Sequence, residues 1–441
     1  MTKRRIVVLT MAALLTVGAA VVLVGASRPV SHLSIRSGFD AMITGPHHAT
    51  SSTTLGILPQ PPTEVNGESV TAAPPQPAAR ATGVPATAVP ATGTPATTAP
   101  TLPAAPQHGA PGGAWTSGVL VDGVAQDLPD PYTLRVDDPA QCGGGPAPCY
   151  YTFSTESGFL GLINVPVVRS SDLVHWTWAG PPNTSLLGAA AAAPGKDAMP
   201  VLAPWAQFAG NWAPSVVARP NNPPASRYVM YYTARSKDDS AWGGKECTGV
   251  ATSAKVDGPY VDSANAPLIC VPAAGGTIDP SPYVAADGSL SLQYADDNGI
   301  HAQRLTADGL ALAGGEQLLL AADGGYVWEV TRIEGPSMIS TPSTGILLFY
   351  SVNLFTSPDY AVGVARCDTP LGPCRRLYST PVLAKRGAML GPGGQTPVQL
   401  PDGSWRLAFH AWDHVVGYDA GGDRTLHFLP LTFPGGNPQV G

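Results

Sequence analysis

The placement of its large aromatic residues constrains this chain most. All nine Trp, all 14 Tyr and all six Cys lie at or after Trp115, and no aromatic residue stands between Phe39 and Trp115. Aromatic side chains carry much of the burial that stabilises a core. A packed core therefore belongs to residues 115–441. The 50 Gly and 47 Pro of the chain exclude a mainly helical protein, since both residues break helices. Charged residues are only 12% and the formal net charge is −7, which excludes nucleic-acid binding by phosphate neutralisation. Residues 115–441 are the more acidic part, with 18 Lys and Arg against 28 Asp and Glu.

The N-terminus reads as an export signal or an anchor. Lys3, Arg4 and Arg5 precede 21 uncharged residues, Ile6 to Ala26. Such a run is long enough to span a ~30 Å hydrocarbon layer. It exceeds the ~7–15 apolar residues of a cleaved signal, yet Gly25, Ala26 and Ser27 suit signal peptidase. Residues 1–27 are thus a signal peptide or a transmembrane anchor. Both place the rest outside, secreted or held at the cell surface by residues 6–26. Arg4-Arg5 weakly resembles a twin-arginine signal, which an ordinary positive n-region explains as well.

Residues 28–114 form a Pro/Ala/Thr-rich linker, with near-repeats such as Gly83-Val84-Pro85-Ala86-Thr87 and Gly93-Thr94-Pro95-Ala96-Thr97. So few large apolar groups cannot offset the entropy of ordering. The segment is expected to be disordered, extended and semi-rigid. The six cysteines behind an export segment fit an oxidising compartment. Short-range pairing is expected for Cys142/Cys149, Cys247/Cys270 and Cys367/Cys374, because Gly and Pro fill the loops of the first and third pairs. No His follows at zinc-finger spacing.

The large domain reads as all-β. Runs rich in β-branched and aromatic residues recur, as at 227–233, 289–294, 345–352 and 404–410. Asp287-Gly288, Asp308-Gly309 and Asp402-Gly403 are hairpin signals between them. Short strands with regular turns mean a sandwich, barrel or propeller. A propeller of five four-stranded blades would take about 60–65 residues per blade.

Three acidic segments draw attention: Asp127-Leu128-Pro129-Asp130-Pro131-Tyr132, Thr277-Ile278-Asp279-Pro280-Ser281-Pro282-Tyr283 and Arg332-Ile333-Glu334-Gly335-Pro336-Ser337. Each sets an acid before Pro or Gly-Pro at a turn beside an apolar strand. Singly, each is an ordinary turn opener. Together they match the needs of glycoside hydrolysis. One carboxylic acid protonates the leaving oxygen, and a second carboxylate activates water or attacks. A third can raise the pKa of the first.

With its other segments, the domain resembles the family 43 glycoside hydrolases, five-bladed β-propellers acting on arabinofuranosides and xylosides. Val168–Trp176, Asn211–Val216, Gly249–Tyr260, Phe349–Gly363 and Phe409–Trp412 follow the family order. The resemblance implies Asp130 as general base, Asp279 as pKa modulator and Glu334 as general acid of an inverting enzyme. Asp127 and Glu329 are the rivals, lacking the following Pro and Gly-Pro respectively. Trp212 and Trp205 are candidates to stack on a sugar, Asn353 to bind a hydroxyl, and His410 to line the channel or satisfy a core hydrogen bond.

The family often places a His in a Gly-rich segment near the last blade, lining a central ion site. Here Gly394 stands at that position, so no cofactor is expected and a structural calcium is in doubt. The expected partner is a polysaccharide or oligosaccharide, with no nucleic acid and membrane contact only through the N-terminal segment. A non-catalytic carbohydrate-binding propeller and a structural envelope protein on a stalk are the competing readings. The loop at 180–204 is expected to cover one side of the cleft.

Overall fold

The computed structural model describes residues 102–106, 118–159, 162–181, 196–323 and 326–441. The N-terminal segment, most of the linker and residues 182–195 of the expected covering loop lie outside the described residues.

Five antiparallel sheets succeed one another along the chain. Blade I comprises Tyr132–Val136, Cys149–Phe153, Val167–Ser170 and Trp176–Trp178, extended at its edge by Leu120–Val121 and Val124–Ala125. Blade II is Ala206–Ala218, Tyr228–Ser236 and Glu246–Ser253, with isolated bridges Thr252 to Val261 and Thr248 to Ile269 along its outer edge. Blade III is Ile278–Val284, Leu290–Asp296, Gly299–Arg304 and Gln317–Ala321. Blade IV is Ile333–Thr341, Gly345–Val352, Ala361–Cys367 and Cys374–Arg376. Blade V is Met389–Gln399, Trp405–Asp413, Arg424–Thr432 and Gln439–Val440. The five form a β-propeller, as the resemblance to family 43 implies.

The alternation in the sequence explains the packing. A blade is covered by a neighbour on each face, so its middle strands are apolar on both sides. Leu290–Asp296 is buried along its whole length. Five apolar clusters result, one per blade interface. Phe153 and Tyr232 join blades I and II, Tyr231 and Leu292 join II and III, and Ile300 and Leu348 join III and IV. Phe349 and Leu407 join IV and V, and Trp176 and Leu426 close the ring between V and I. The closing seam also bonds Val119 N–H to Leu426 O at 2.8 Å and Leu128 N–H to Arg424 O at 2.9 Å.

Asp287-Gly288 and Asp402-Gly403 turn the inner hairpins of blades III and V, with both glycines at positive φ. The three expected disulfides are present, Cys142–Cys149, Cys247–Cys270 and Cys367–Cys374. One boundary differs from expectation. Residues 102–106, assigned to the linker, pack on the propeller. Ala105 is 3% exposed in the cluster between blades IV and V. Its N–H bonds Thr380 Oγ1 at 2.8 Å, and Ser379 N–H bonds Pro103 O at 2.8 Å. The ordered fold thus reaches back past Trp115.

Candidate active site

The innermost strand of every blade carries the same local device. In it or just before it one residue adopts positive φ: Asp130 (+50°), Ala213 (+41°), Asp279 (+57°), Gly335 (+57°) and Gly394 (+59°). The register with the second strand breaks at this point in blades II to V. Such bulges re-aim side chains at barrel and sheet rims. Pro131, Pro214, Pro280 and Pro336 follow directly, where a missing N–H costs no ladder bond. The five residues line one central pocket, with Asp130 and Asp279 in its wall. Glu334 directly precedes Gly335, at the position Trp212 holds in blade II. An X-Pro dipeptide in four of the five blades was therefore present in the sequence, hidden because its first residue varies among Asp, Ala and Gly.

Asp130 sits among donors. Thr155 Oγ1 donates to its Oδ2 at 2.8 Å, and Arg424 Nη1 lies 3.5 Å from the same oxygen. Thr155 Oγ1 in turn accepts the Ala213 N–H at 2.8 Å, tying blade II to the acid. Withdrawal from water works to raise the Asp130 pKa. The Arg424 charge, with the Thr155 bond, overcomes it and holds the carboxyl well below the usual range. Asp130 stays ionised.

His410 is fully buried, and its Nδ1 accepts the Asp130 backbone N–H at 2.9 Å. Burial lowers its pKa to about 4, so the ring is neutral. It orients Asp130 and is not open to a sugar. Gly394 must be Gly. A Cβ there would meet His410 Nδ1 at 2.7 Å and Asp130 Cα at 2.8 Å, so the His410 ring and Asp130 occupy the space a side chain at 394 would need. A calcium ion asks for six to eight oxygens. The Nδ1 lone pair of His410 is spent on the Asp130 N–H, which leaves the ring proton on Nε2, and among the described residues no group of three or more His, Cys, Asp or Glu could hold a metal ion. That donor set does not fit.

Glu334 and Asp279 form the other half. Tyr360 O–H donates to Glu334 Oε1 at 2.8 Å, and Arg332 Nε lies 2.9 Å from Oε2. Asp279 Oδ2 accepts the Gly335 N–H at 2.9 Å, while its own N–H reaches Thr233 Oγ1 at 3.0 Å. Burial raises the Asp279 pKa well above the usual range, and the negative charges of Glu334 and Asp130 raise it further. Burial also raises Glu334, with Arg332 and Tyr360 opposing. Both carboxyls are thus pushed towards the protonated form, and neighbouring groups so close titrate together. Tyr360 also stacks on His410, with centroids 5.8 Å apart, so one side chain spans from Glu334 to the support of Asp130.

The remaining candidates divide. Trp212 is half-buried beside Ala213, next to the cavity wall. Trp205 is 2% exposed, stacked on Tyr232 and bonded to Asp262, so it is core and not a sugar platform. Asn353 is fully engaged. Its Oδ1 accepts Val330 N–H, and its Nδ2 donates to Trp328 O and Asp359 O, each at 2.9 Å. It braces the loop before Glu334 and has no amide group left for a hydroxyl. Asp127 is held by the Arg424 backbone and Ser157. Glu329 pairs with Arg376 at 2.7 Å and accepts from Tyr350. Each rival is thus spent on structural partners. Thr155, Tyr360, Arg424 and Arg332 were not singled out. Only Arg332 had a local signal, since strand alternation puts it on the face of Glu334.

The model of the glycosyl hydrolases family 43 matches residues 125–436, most of the chain. The chain belongs to glycosyl hydrolase family 43. A thermostable family-43 glycoside hydrolase aligns with a TM-score of 0.56 and 25% identity, covering 74% of this chain and 96% of that one. An endo-1,4-beta-xylanase from Bacteroides thetaiotaomicron VPI-5482 aligns at 0.53 and 23%, covering 72% and 95%. An exo-1,5-alpha-L-arabinanase from a bovine ruminal metagenomic library aligns at 0.52 and 19%, covering 72% and 97%. No curated protein matches the chain significantly. As a family 43 member, this propeller carries the glycosidase architecture, and polysaccharides are the partners of its family.

Proposed function

We propose that this family 43 protein is an inverting glycosidase cleaving arabinofuranosyl- or xylosyl-containing polysaccharides, with Asp130 as general base, Glu334 as general acid and Asp279 as pKa modulator. The observation that carries this reading is geometric: Asp130 and Asp279 line one pocket with Gly335, the neighbour of Glu334, and Asp279 Oδ2 accepts the Gly335 N–H at 2.9 Å; the surroundings push Asp130 below and Glu334 above the usual carboxyl range. Environments that push carboxyl pKa values apart assign the acid and base roles.

Ionised Asp130 takes a proton from the attacking water as its oxygen bonds to the anomeric carbon. Protonated Glu334 gives its proton to the glycosidic oxygen as that bond breaks. Inversion needs the two carboxyls about 6.5–9.5 Å apart to admit the water. Asp279 keeps Glu334 protonated by its proximity. No step is assigned to a metal. Trp212 is the candidate sugar platform. The arabinanase and xylanase among the structural neighbours suggest the sugar class. The basic residues Lys3, Arg4 and Arg5 before the uncharged run Ile6 to Ala26 suggest action outside the cell.

The test is turnover of aryl furanosides and xylosides by the full chain, with the anomer of the released sugar followed by NMR. Inversion, lost in Asp130→Asn, is expected. Retention, or undiminished turnover in Asp130→Asn and Glu334→Gln, would sink the assignment. Saturable glycan binding without any turnover would favour a carbohydrate-binding propeller.

A further inference from the structure

A buried carboxyl stands three residues before Asp130, and the proposed chemistry does not use it. Asp127 is 7% exposed. Its Oδ1 accepts the Arg424 backbone N–H at 2.8 Å, and its Oδ2 accepts Ser157 O–H at 2.9 Å. The Tyr418 hydroxyl lies 2.6 Å from Ser157 Oγ and 3.3 Å from Asp127 Oδ1. Arg424 Nε donates to that hydroxyl at 2.9 Å. Asp127 thus holds the Arg424 main chain, and Tyr418 holds the near end of its guanidinium. The far end, Nη1, extends to Asp130 Oδ2. Phe355 backs the guanidinium at 4.4 Å, with Tyr418 and Trp412 within 5.9 Å.

We propose that Asp127, Ser157 and Tyr418 are positioning residues, a buried brace that aims the Arg424 guanidinium at Asp130. The inference rests on the reading of Asp130 as the base. The cost of burying charge explains why a brace is required. Arg424 is 3% exposed, and a cation so placed is tolerated only when paired and hydrogen-bonded. Free to turn, it would settle on whichever carboxylate it met. With the Asp127 oxygens occupied by the backbone and Ser157, the guanidinium is left to Asp130. The charged and titratable groups facing Asp130 are Arg424, His410 and, across the cavity, Asp279 and Glu334. Those facing Asp127 are Arg424, Tyr418 and Asp423. Of these, Arg424 is the one charge shared by both sets that favours ionised Asp130.

The experiment compares Tyr418→Phe, Ser157→Ala and Asp130→Asn in the full chain, reading kcat and KM against pH on an activated aryl glycoside. Tyr418→Phe removes the Nε acceptor and keeps the ring. The brace predicts an acidic limb moved up by about one pH unit, which is one unit of differential interaction with the base. It also predicts kcat lowered about tenfold, KM changed less than about twofold, and a smaller shift in the same direction for Ser157→Ala. A lost packing contact alone would lower the unfolding temperature and leave the acidic limb in place; that result in either variant that folds overturns the brace. Asp130→Asn separates the two readings. Inactive Asp130→Asn with an unmoved limb in Tyr418→Phe rejects the brace alone, while active Asp130→Asn rejects the base assignment beneath it.

Discussion

Glu334 and Asp279 share one side of the cavity, and ionising both there is costly. Three substitutions separate their roles. Glu334→Gln should lower turnover of substrates with poor leaving groups by about 10²–10⁴-fold and spare activated aryl glycosides, because only the former need the proton; equal losses on both would contradict the general-acid role. Asp279→Asn should move the basic limb of the pH–rate profile to lower pH, since a nearby negative charge is gone. Tyr360→Phe should move it to higher pH, since the hydroxyl that stabilises ionised Glu334 is gone. Opposite shifts from two neighbours of one acid are hard to produce by general damage. Stability gives a further check. A carboxyl whose folded pKa is raised contributes stability that is present below its unfolded pKa and lost as pH rises through the folded value. Asp279 is such a group. Asp279→Asn should therefore unfold at a higher temperature than wild type at neutral pH, with the advantage shrinking towards pH 4. A lower melting temperature at both pH values would mean that the wild-type carboxylate is compensated at neutral pH.

At the scale of the strand, the bulge is the working unit. It places a residue in a left-handed conformation that costs a non-Gly residue about 1 kcal/mol or more, and Asp130, Ala213 and Asp279 all adopt it. Strain of this kind persists where the surroundings over-determine it. Thr155, His410 and Thr233 do so here by bonding the bulged residues or their neighbours. Gly394 shows the tightest case. Gly394→Ala would add both the positive-φ penalty and a Cβ against the Asp130 backbone. Loss of about 1–3 kcal/mol of stability is expected, together with a drop in kcat as Asp130 is displaced. Denaturant melts and kinetics on the same sample check both, and wild-type kcat would show that the base position tolerates the shift. The Asp-Pro and Gly-Pro pairs were readable as turns, and three of the bulges coincide with them. Ala213-Pro214 belongs to the same set but carries no acid, so the chemistry that singled out the others passed it over.

Across the whole molecule, the ring is held by five interface clusters and by the segment that bridges blades V and I. Residues 102–106 add to the seam between blades IV and V. A chain truncated to Trp115 loses the two hydrogen bonds at Ala105 and Ser379 and the burial of Ala105. It should be less stable by about 1–3 kcal/mol, whereas truncation at 102 should be neutral. Equal melting temperatures for the two would show that the docked segment contributes nothing.

The sequence by itself determined the class of fold and singled out the three acids as candidates. Hairpin signals, β-rich runs and the confinement of aromatics to 115–441 specify an all-β domain, because side-chain period and turn chemistry are local properties. The acids were legible because each stands before Pro or Gly-Pro. Only the tertiary structure decided what surrounds them. Arg424 lies 294 residues from Asp130 and joins it because the ring closes between blades V and I. Tyr360 reaches Glu334 from the connection between the second and third strands of blade IV. Trp205 and Asn353 read as binding residues by type, yet burial commits one to the core and three hydrogen bonds commit the other to a loop. Residue type states what a side chain can do, and only the packed structure determines which of its bonds are already used.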